Sequence, residues 1–341
     1  MLKRALFFST PYCLSLRNGQ MIVHTREAPG MKRSVPIEDI GFVVLEDAQI
    51  SVTLPLLNAL SDNNVAVIIC GENRMPNAML MNLDSNRTQG EVYRTQIEAS
   101  EPLKKGLWKQ IVEAKIRNQA SLLRKLGRDG DRLKPYYMNV KSADADNREG
   151  VAAKIYWAEL FGSQFIRLRD GVCPNNLLNY GYTILRAAVA RAIMGSGLFP
   201  AFGIFHRNRY NAFPLADDVM EPYRPYVDEM VYNLFQQGHK QLTKDVKGAL
   251  FRLLFVDTRF DKVVRPLDVG LTFTSSSLAK CFAGIQKKIA YPSKAFHPPV
   301  DVSLYIAFGS PLSLEKSAHE VALSLNFCAI LGDSNKSFVF R

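Results

Sequence analysis

Short apolar runs separated by turn formers open the chain. Gln20–Thr25, Ile40–Leu45 and Val65–Cys70 are rich in Val and Ile. Asn18-Gly19, Pro29-Gly30, Asp62-Asn63-Asn64 and Gly71 punctuate them, so the pattern predicts strands. Leu54–Leu60, with Pro55 in its first turn, predicts a short helix. Asn82–Gly90 is polar and reads as a linker. From about residue 91 the period changes. Trp108, Ile111, Val112, Ile116, Ala120 and Leu123 recur three or four apart, which predicts an amphipathic helix ended by Gly127, Gly130 and Pro135. Glu149–Phe161, Asn179–Met194, Tyr226–Gln237, Leu242–Asp257 and Ser275–Lys288 are further predicted helices. After about residue 294 no period is visible. The expected fold is α+β and multidomain: a small N-terminal β-rich domain (1–85), a linker with a first helix (86–98), a larger, mostly α-helical domain (99–292) and a C-terminal extension (293–341).

Composition narrows the class. Of 341 residues 47% are hydrophobic and 22% charged, enough apolar side chain to offset chain entropy, so disorder is excluded as the main state. No apolar run reaches the roughly 18–20 residues that span a bilayer, and no membrane association is expected. The start, MLKRALFFSTPYCLSL, has a basic residue pair and then an apolar stretch, but Pro11 and polar residues break it, and it reads as a cytoplasmic first strand. The five cysteines are scattered without a C-x-x-C, which indicates a reducing compartment and no zinc knuckle.

The charge is uneven. The net charge is +11, and all of that excess lies in residues 90–292. Residues 103–134 alone hold ten basic and three acidic side chains. Such a stripe attracts polyanions, because each neutralised phosphate releases condensed counterions. A solvated helix face is the plainer reading of one lysine-rich helix; confinement of the excess to one region favours nucleic acid.

Several chemistries are missing. There is no G-x-x-x-x-G-K-[ST], no G-x-G-x-x-G after the Val65–Cys70 strand and no G-x-S-x-G. Three segments do carry candidate chemistry. Glu149 opens a predicted helix whose Ala152, Ala153, Tyr156, Trp157 and Leu160 share one face, although a glutamate there also simply complements the helix dipole. His206 is followed by Arg207-Asn208-Arg209-Tyr210-Asn211, and then Asp217, Asp218 and Glu221 crowd into five positions. Three carboxylates so close need a cation or arginines, such as Arg209 and Arg224, to balance them. Asn179-Tyr180-Gly181-Tyr182 leads a helix rich in alanine, mostly a core element. One histidine and two glutamates from separate segments make a candidate site for Mg2+ or Mn2+, and a metal beside basic residues points to phosphoryl transfer.

In order, Glu149-x-x-Ala-Ala-x-x-Tyr-Trp, Leu178-Asn-Tyr-Gly-Tyr182, His206-Arg-x-x-Tyr-Asn-x-Phe-x-Leu-Ala-Asp-Asp-x-x-Glu-Pro-x-Arg-Pro225 and Leu278-Ala-Lys-Cys-Phe-Ala-Gly284 resemble the CRISPR-associated endonuclease and integrase that acquires new spacers, in its version from single-effector (type II) systems. The resemblance runs from the N-terminus to about residue 292. It implies an N-terminal β domain and a helical catalytic domain, with Glu149, His206 and Glu221 as catalytic metal ligands for Mg2+ or Mn2+. Asp217 or Asp218 could share that duty. It further implies a homodimer that clamps a dimer of a small ferredoxin-like CRISPR-associated partner protein. The DNA partners it implies are a prespacer duplex and the CRISPR leader-repeat. The reaction expected is transesterification, a DNA 3′-hydroxyl attacking a repeat phosphodiester. Basic residues of 103–134, with Arg207 and Arg209, are candidate phosphate contacts. Such family members stop near Tyr291-Pro292, so nothing is carried onto 294–341. The alternatives are a non-catalytic DNA-binding scaffold and a general DNA-repair nuclease.

Overall fold

A computed structural model describes residues 3–80, 82, 86–169, 171–206 and 208–293, and the backbone of 305–308. The first part is strand-rich: β1 (Arg4–Phe8), β2 (Cys13–Arg17), β3 (Gln20–His24), β4 (Arg33–Pro36), β5 (Ile40–Leu45), β6 (Ser51–Val52), α1 (Leu54–Asp62), β7 (Ala66–Cys70) and β8 (Pro76–Leu80). Helices then dominate: α2 (Gln89–Ile97), α3 (Glu101–Lys125), α4 (Lys134–Met138), α5 (Arg148–Phe161), α6 (Asn175–Gly195), α7 (Pro214–Met220), α8 (Arg224–Gln236) and α9 (Lys244–Phe251). A hairpin of β9 (Asp257–Phe260) and β10 (Val263–Pro266) leads into α10 (Leu267–Phe282). The fold class is therefore the α+β arrangement that the pattern predicts, a β-rich region followed by a helical one.

One strand, β11 (Tyr305–Phe308), comes from the extension and pairs parallel with β1. It completes a five-stranded sheet in the order β11-β1-β5-β7-β8, parallel except for β8. Apart from Ser293, the remaining residues of the extension lie outside the described residues. A second sheet runs β4-β3-β2-β6.

Period-2 alternation lets the larger sheet serve two cores. Ala5, Phe7, Phe42, Val44, Ala66 and Ile68 face the helices and join their core. Leu6, Phe8, Val43, Leu45, Val65 and Val67 face the second sheet and α1. A sheet covered on both faces has no polar side, which is why RALFF, IGFVVL and AVIIC read as nearly unbroken apolar runs. On the helical side α3 and α6 are the central pieces. α3 is capped by Ser100, whose hydroxyl accepts from the Leu103 amide, and ends before Gly127 at φ +70. α6 packs against α8, where a Cβ on Gly181 would come within 2.5 Å of Val227 Cγ1, so the glycine of Asn-Tyr-Gly-Tyr is what allows the approach.

Two polar ties fasten the sheet to the helices. Arg191 of α6 donates to the Asn64 carbonyl (2.7 Å), pairs with Asp268 (2.7 Å) and lies over the Phe42 ring. Lys247 of α9 pairs with Glu46 at the end of β5, and both side chains are buried. Breaking a buried pair on one side leaves a charge uncompensated, whereas removing both partners need not. Glu46→Ala should therefore cost about 3–5 kcal/mol in urea denaturation. The double variant Glu46→Leu/Lys247→Met should recover most of that loss; equal losses in the two proteins would show that the tie is not electrostatic.

Candidate active site

Four segments bring charge to one place: the middle of α3, the start of α5, the loop between α6 and α7, and the 3-10 turn Glu221–Tyr223 that joins α7 to α8. At the start of α5 the orphan amides are already served. The Asp144 carboxylate accepts from the amides of Arg148 (2.8 Å) and Glu149 (3.0 Å), and the Asn147 side chain accepts from Gly150 (3.2 Å). Glu149 is thus relieved of capping. Its Oε1 lies 2.5 Å from Lys115 Nζ on α3.

Glu221 reaches the same nitrogen from the other side. Its Oε2 is 2.5 Å from Lys115 Nζ and its Oε1 is 2.9 Å from Arg224 Nε. The two glutamates, far apart in sequence, are thus brought together on one cation. Glu221 is 4% exposed. Burial by itself raises its carboxyl pKa, but the charges of Arg224 and Lys115 overcome that and hold it below the ordinary value. Burial likewise opposes the Lys115 charge, and Glu221 and Glu149 outweigh it and hold the ammonium above its ordinary pKa. Glu221 Oε2 is thus occupied by the Lys115 ammonium, the one cation it shares with Glu149.

His206 is set by Asp218. The Asp218 carboxylate, fully buried, accepts from the backbone amides of Ile204 (2.6 Å), Phe205 (3.0 Å) and His206 (3.2 Å), and from His206 Nδ1 (2.6 Å). That bond raises the His206 pKa. It also puts the ring proton on Nδ1 in the neutral imidazole, which makes Nε2 the nitrogen with a free lone pair. Gly203 permits this tight loop, since a Cβ there would meet the His206 carbonyl at 2.5 Å and Asp218 Oδ2 at 3.2 Å. From α2, Gln96 holds the preceding residues, donating to the carbonyls of Phe199 and Phe202 and accepting from the Phe199 amide.

The crowded acids thus separate into different tasks. Asp217 is taken by Arg186 through both oxygens (2.6 and 3.1 Å) and by Asn211 (2.7 Å). Asp218 is occupied by the loop and the histidine, so Glu221 is the acid of that group that faces Glu149.

A divalent ion is what the family resemblance implies here. Two carboxylates and an imidazole whose Nε2 is the accepting nitrogen are a donor set that suits Mg2+ or Mn2+. These residues fit such an ion. Among the described residues no three His, Cys, Asp or Glu side chains already form a cage; the Lys115 ammonium stands between the two glutamates.

The basic stripe looks different from what its sequence predicts. Of its ten cations, Lys104, Lys109, Lys115, Arg124, Lys125 and Arg132 are paired with carboxylates, and Arg117 lies over the Tyr137 ring. Arg209 packs on Tyr210, while Arg207 lies outside the described residues. The sequence reading missed a groove of about 1080 Å3 beside the site, lined by Arg167, Arg169, Arg186 and Arg224 with Asn179 and Tyr210 among its polar groups. The R-L-R spacing of Arg167 and Arg169 was its only trace, and three residues carry little signal.

The comparisons agree with one another. Residues 6–254 match the family model described as CRISPR associated protein Cas1. The chain belongs to the Cas1 family. Over 284 residues it is 36% identical to the CRISPR-associated endonuclease Cas1 of Neisseria meningitidis serogroup C (strain 8013), an alignment that covers 79% of this chain and 92% of that one. A Pyrobaculum aerophilum protein, CRISPR-associated endonuclease Cas1 2, is 28% identical over 77% of this chain and 94% of its own. Among solved structures, a casposase bound to integration product superposes with a TM-score of 0.70 at 19% identity, covering 89% of this chain and 97% of that one. A Cas6-RT-Cas1–Cas2 complex gives 0.65 at 20% identity, covering 86% of this chain and 36% of that one. These last two likenesses concern the fold. The span matched by the Cas1 model includes Lys115, Glu149, His206 and Glu221.

In this Cas1 protein Arg224 also joins a buried network. Arg224 lies over the Tyr182 ring (4.5 Å), and the hydroxyls of Tyr182 and Tyr156 donate to the two oxygens of Asp228. Burial pushes the Asp228 carboxyl up to about 6. The folded protein therefore holds this proton more tightly than the unfolded chain does. The stabilising contribution is complete at low pH and is lost as the pH rises from about 4 to about 6. Asp228→Asn should remove that part of the decline, measured as the difference between wild-type and variant unfolding free energies from pH 4 to 7. Parallel profiles would mean that Asp228 does not titrate in this window.

Proposed function

We propose that this Cas1 protein is a metal-dependent DNA endonuclease and integrase of CRISPR adaptation. In this reading it inserts short foreign DNA fragments as new spacers. The observation that carries the reading is the convergence of Glu149 and Glu221 on one cation position, beside a histidine whose Nε2 is the accepting nitrogen. Glu149, His206 and Glu221 would hold Mg2+ or Mn2+. When bound, the ion would act as Lewis acid on the scissile phosphate and offset charge on the attacking and departing oxygens.

The protein's own part is positioning and preorganised charge. A 3′-hydroxyl of the captured fragment attacks a phosphodiester at the edge of a repeat. One P–O bond forms as another breaks, so no nucleotide triphosphate is consumed, in keeping with a chain that has no P-loop. Arg167, Arg169 and Arg186 along the groove would hold backbone phosphates, which positions DNA without reading its sequence. Water in place of the hydroxyl turns the same site into an endonuclease. Binding should weaken steeply as salt rises.

The partners follow from the same reading: a prespacer duplex, the leader-repeat, a second copy of the chain and a dimer of the small ferredoxin-like protein. Support comes from relatives named CRISPR-associated endonuclease and from the fold shared with a Cas1–Cas2 assembly and with a casposase bound to integration product. The division into a β domain to residue 85 and a catalytic domain from 99 to 292 belongs to the reading, as does a cytoplasmic location. No helix among the described residues is long and apolar enough to cross a membrane.

Strand transfer of a labelled short duplex into a repeat-bearing plasmid tests the proposal. Glu221→Ala and His206→Ala should each lose at least about 100-fold in rate while the circular dichroism spectrum and oligomeric state stay unchanged. Undiminished transfer in either purified variant would take that residue out of the site.

A further inference from the structure

Phe205 is an exposed ring that is held rigidly. It stacks on Trp108 with centroids 4.3 Å apart and planes 3° from parallel. Trp108 is buried in α3, yet Phe205 is 48% exposed, so the ring turns its other face outward. Its backbone amide donates to Asp218, the carboxylate that also fixes His206. Ring and imidazole meet edge to face. The surroundings are aromatic as well: Phe199 and Phe202 are partly exposed and Tyr210 is 81% exposed, all within one loop. A single exposed phenylalanine is ordinary, but a preset ring beside the accepting imidazole, on the loop that lends Asn208 and Tyr210 to the arginine-lined groove, has the features of a stacking platform.

We infer that Phe205, backed by Trp108, is a nucleobase-stacking subsite that receives one unpaired base next to the reacting phosphate. The inference rests on the proposal that this site acts on DNA. Every base has a π-face, so such a shelf tolerates any sequence, and stacking contributes about 1–3 kcal/mol per base. Because the Phe205 amide and His206 are held by the same carboxylate and the ring is held by Trp108, a base seated on Phe205 would place its own phosphate at a set distance from the imidazole. The shelf would select for frayed or single-stranded ends over fully paired DNA.

The test uses the full chain and a short duplex with a single-stranded 3′ end, carrying 2-aminopurine at each unpaired position in turn. Wild type should quench the fluorescence at one or two adjacent positions. Phe205→Leu, which keeps apolar cover over Trp108 but has no ring, should lose the quenching and weaken binding of this substrate by about 5- to 150-fold. Its binding of a blunt duplex should not change. Phe205→Trp should restore both properties. Equal quenching in wild type and Phe205→Leu, with DNA binding and strand transfer intact, would overturn the shelf alone. A Phe205→Leu protein altered only in its assembly with a protein partner would overturn the shelf too. Failure of wild type to bind either DNA would overturn the shelf together with the DNA reading beneath it.

Discussion

Lys115 is the charge on which the site depends. Two carboxylates, brought from the start of α5 and from the turn after α7, approach its nitrogen to 2.5 Å each. Without a cation between them, two such groups in a buried position repel and lose hydration as well. α3 supplies that cation from its interior, and Arg224 braces Glu221 from behind. Any divalent ion held by the same two oxygens must compete with this ammonium. Lys115 and Arg224 thus balance the two carboxylates from within the protein.

The rest of the molecule keeps these segments in register. The inner strands β1 and β5 with the first part of β7, buried on both faces, offer an apolar layer to the helices, and Arg191 and Lys247 pin that layer to α6 and α9. α3 touches α5, α8 and the Glu221 turn. A single buried carboxylate, Asp218, holds three consecutive amides and an imidazole. Rigid supports of this kind matter when catalysis relies on prearranged charge rather than on a cofactor's reactivity.

Much of this was legible in the chain. Strands with Val and Ile between turn residues, and the three-to-four spacing from Trp108 to Leu123, gave the order of elements and the change from sheet to helix. The crowding of Asp217, Asp218 and Glu221 beside His206 signalled a demand for cations, which Arg186, Lys115 and Arg224 meet in part. Other features left no readable trace. Lys115 looked like one more cation in a basic stripe, because a sequence cannot show that Lys115, Lys125 and Arg132 are paired with carboxylates of other elements. α10 begins at Leu267, earlier than the predicted Ser275, since buried Thr274, Ser275 and Ser277 blur its apolar face. The predicted helix Leu242–Asp257 runs past the end of α9 at Phe251 and through the 3-10 turn Arg252–Phe255, and the β9–β10 hairpin after it was not predicted. Four residues at 305–308 are too few to show a period, and only their parallel register beside β1 marks them as a strand.

The most direct measurement is anomalous diffraction at the manganese edge from crystals of the protein grown with Mn2+. One strong peak is expected, bounded by Glu149, His206 and Glu221, with the Lys115 ammonium moved off the line between the two carboxylates. Full manganese occupancy elsewhere, with Lys115 still joining the two glutamates, would contradict a metal site at these residues.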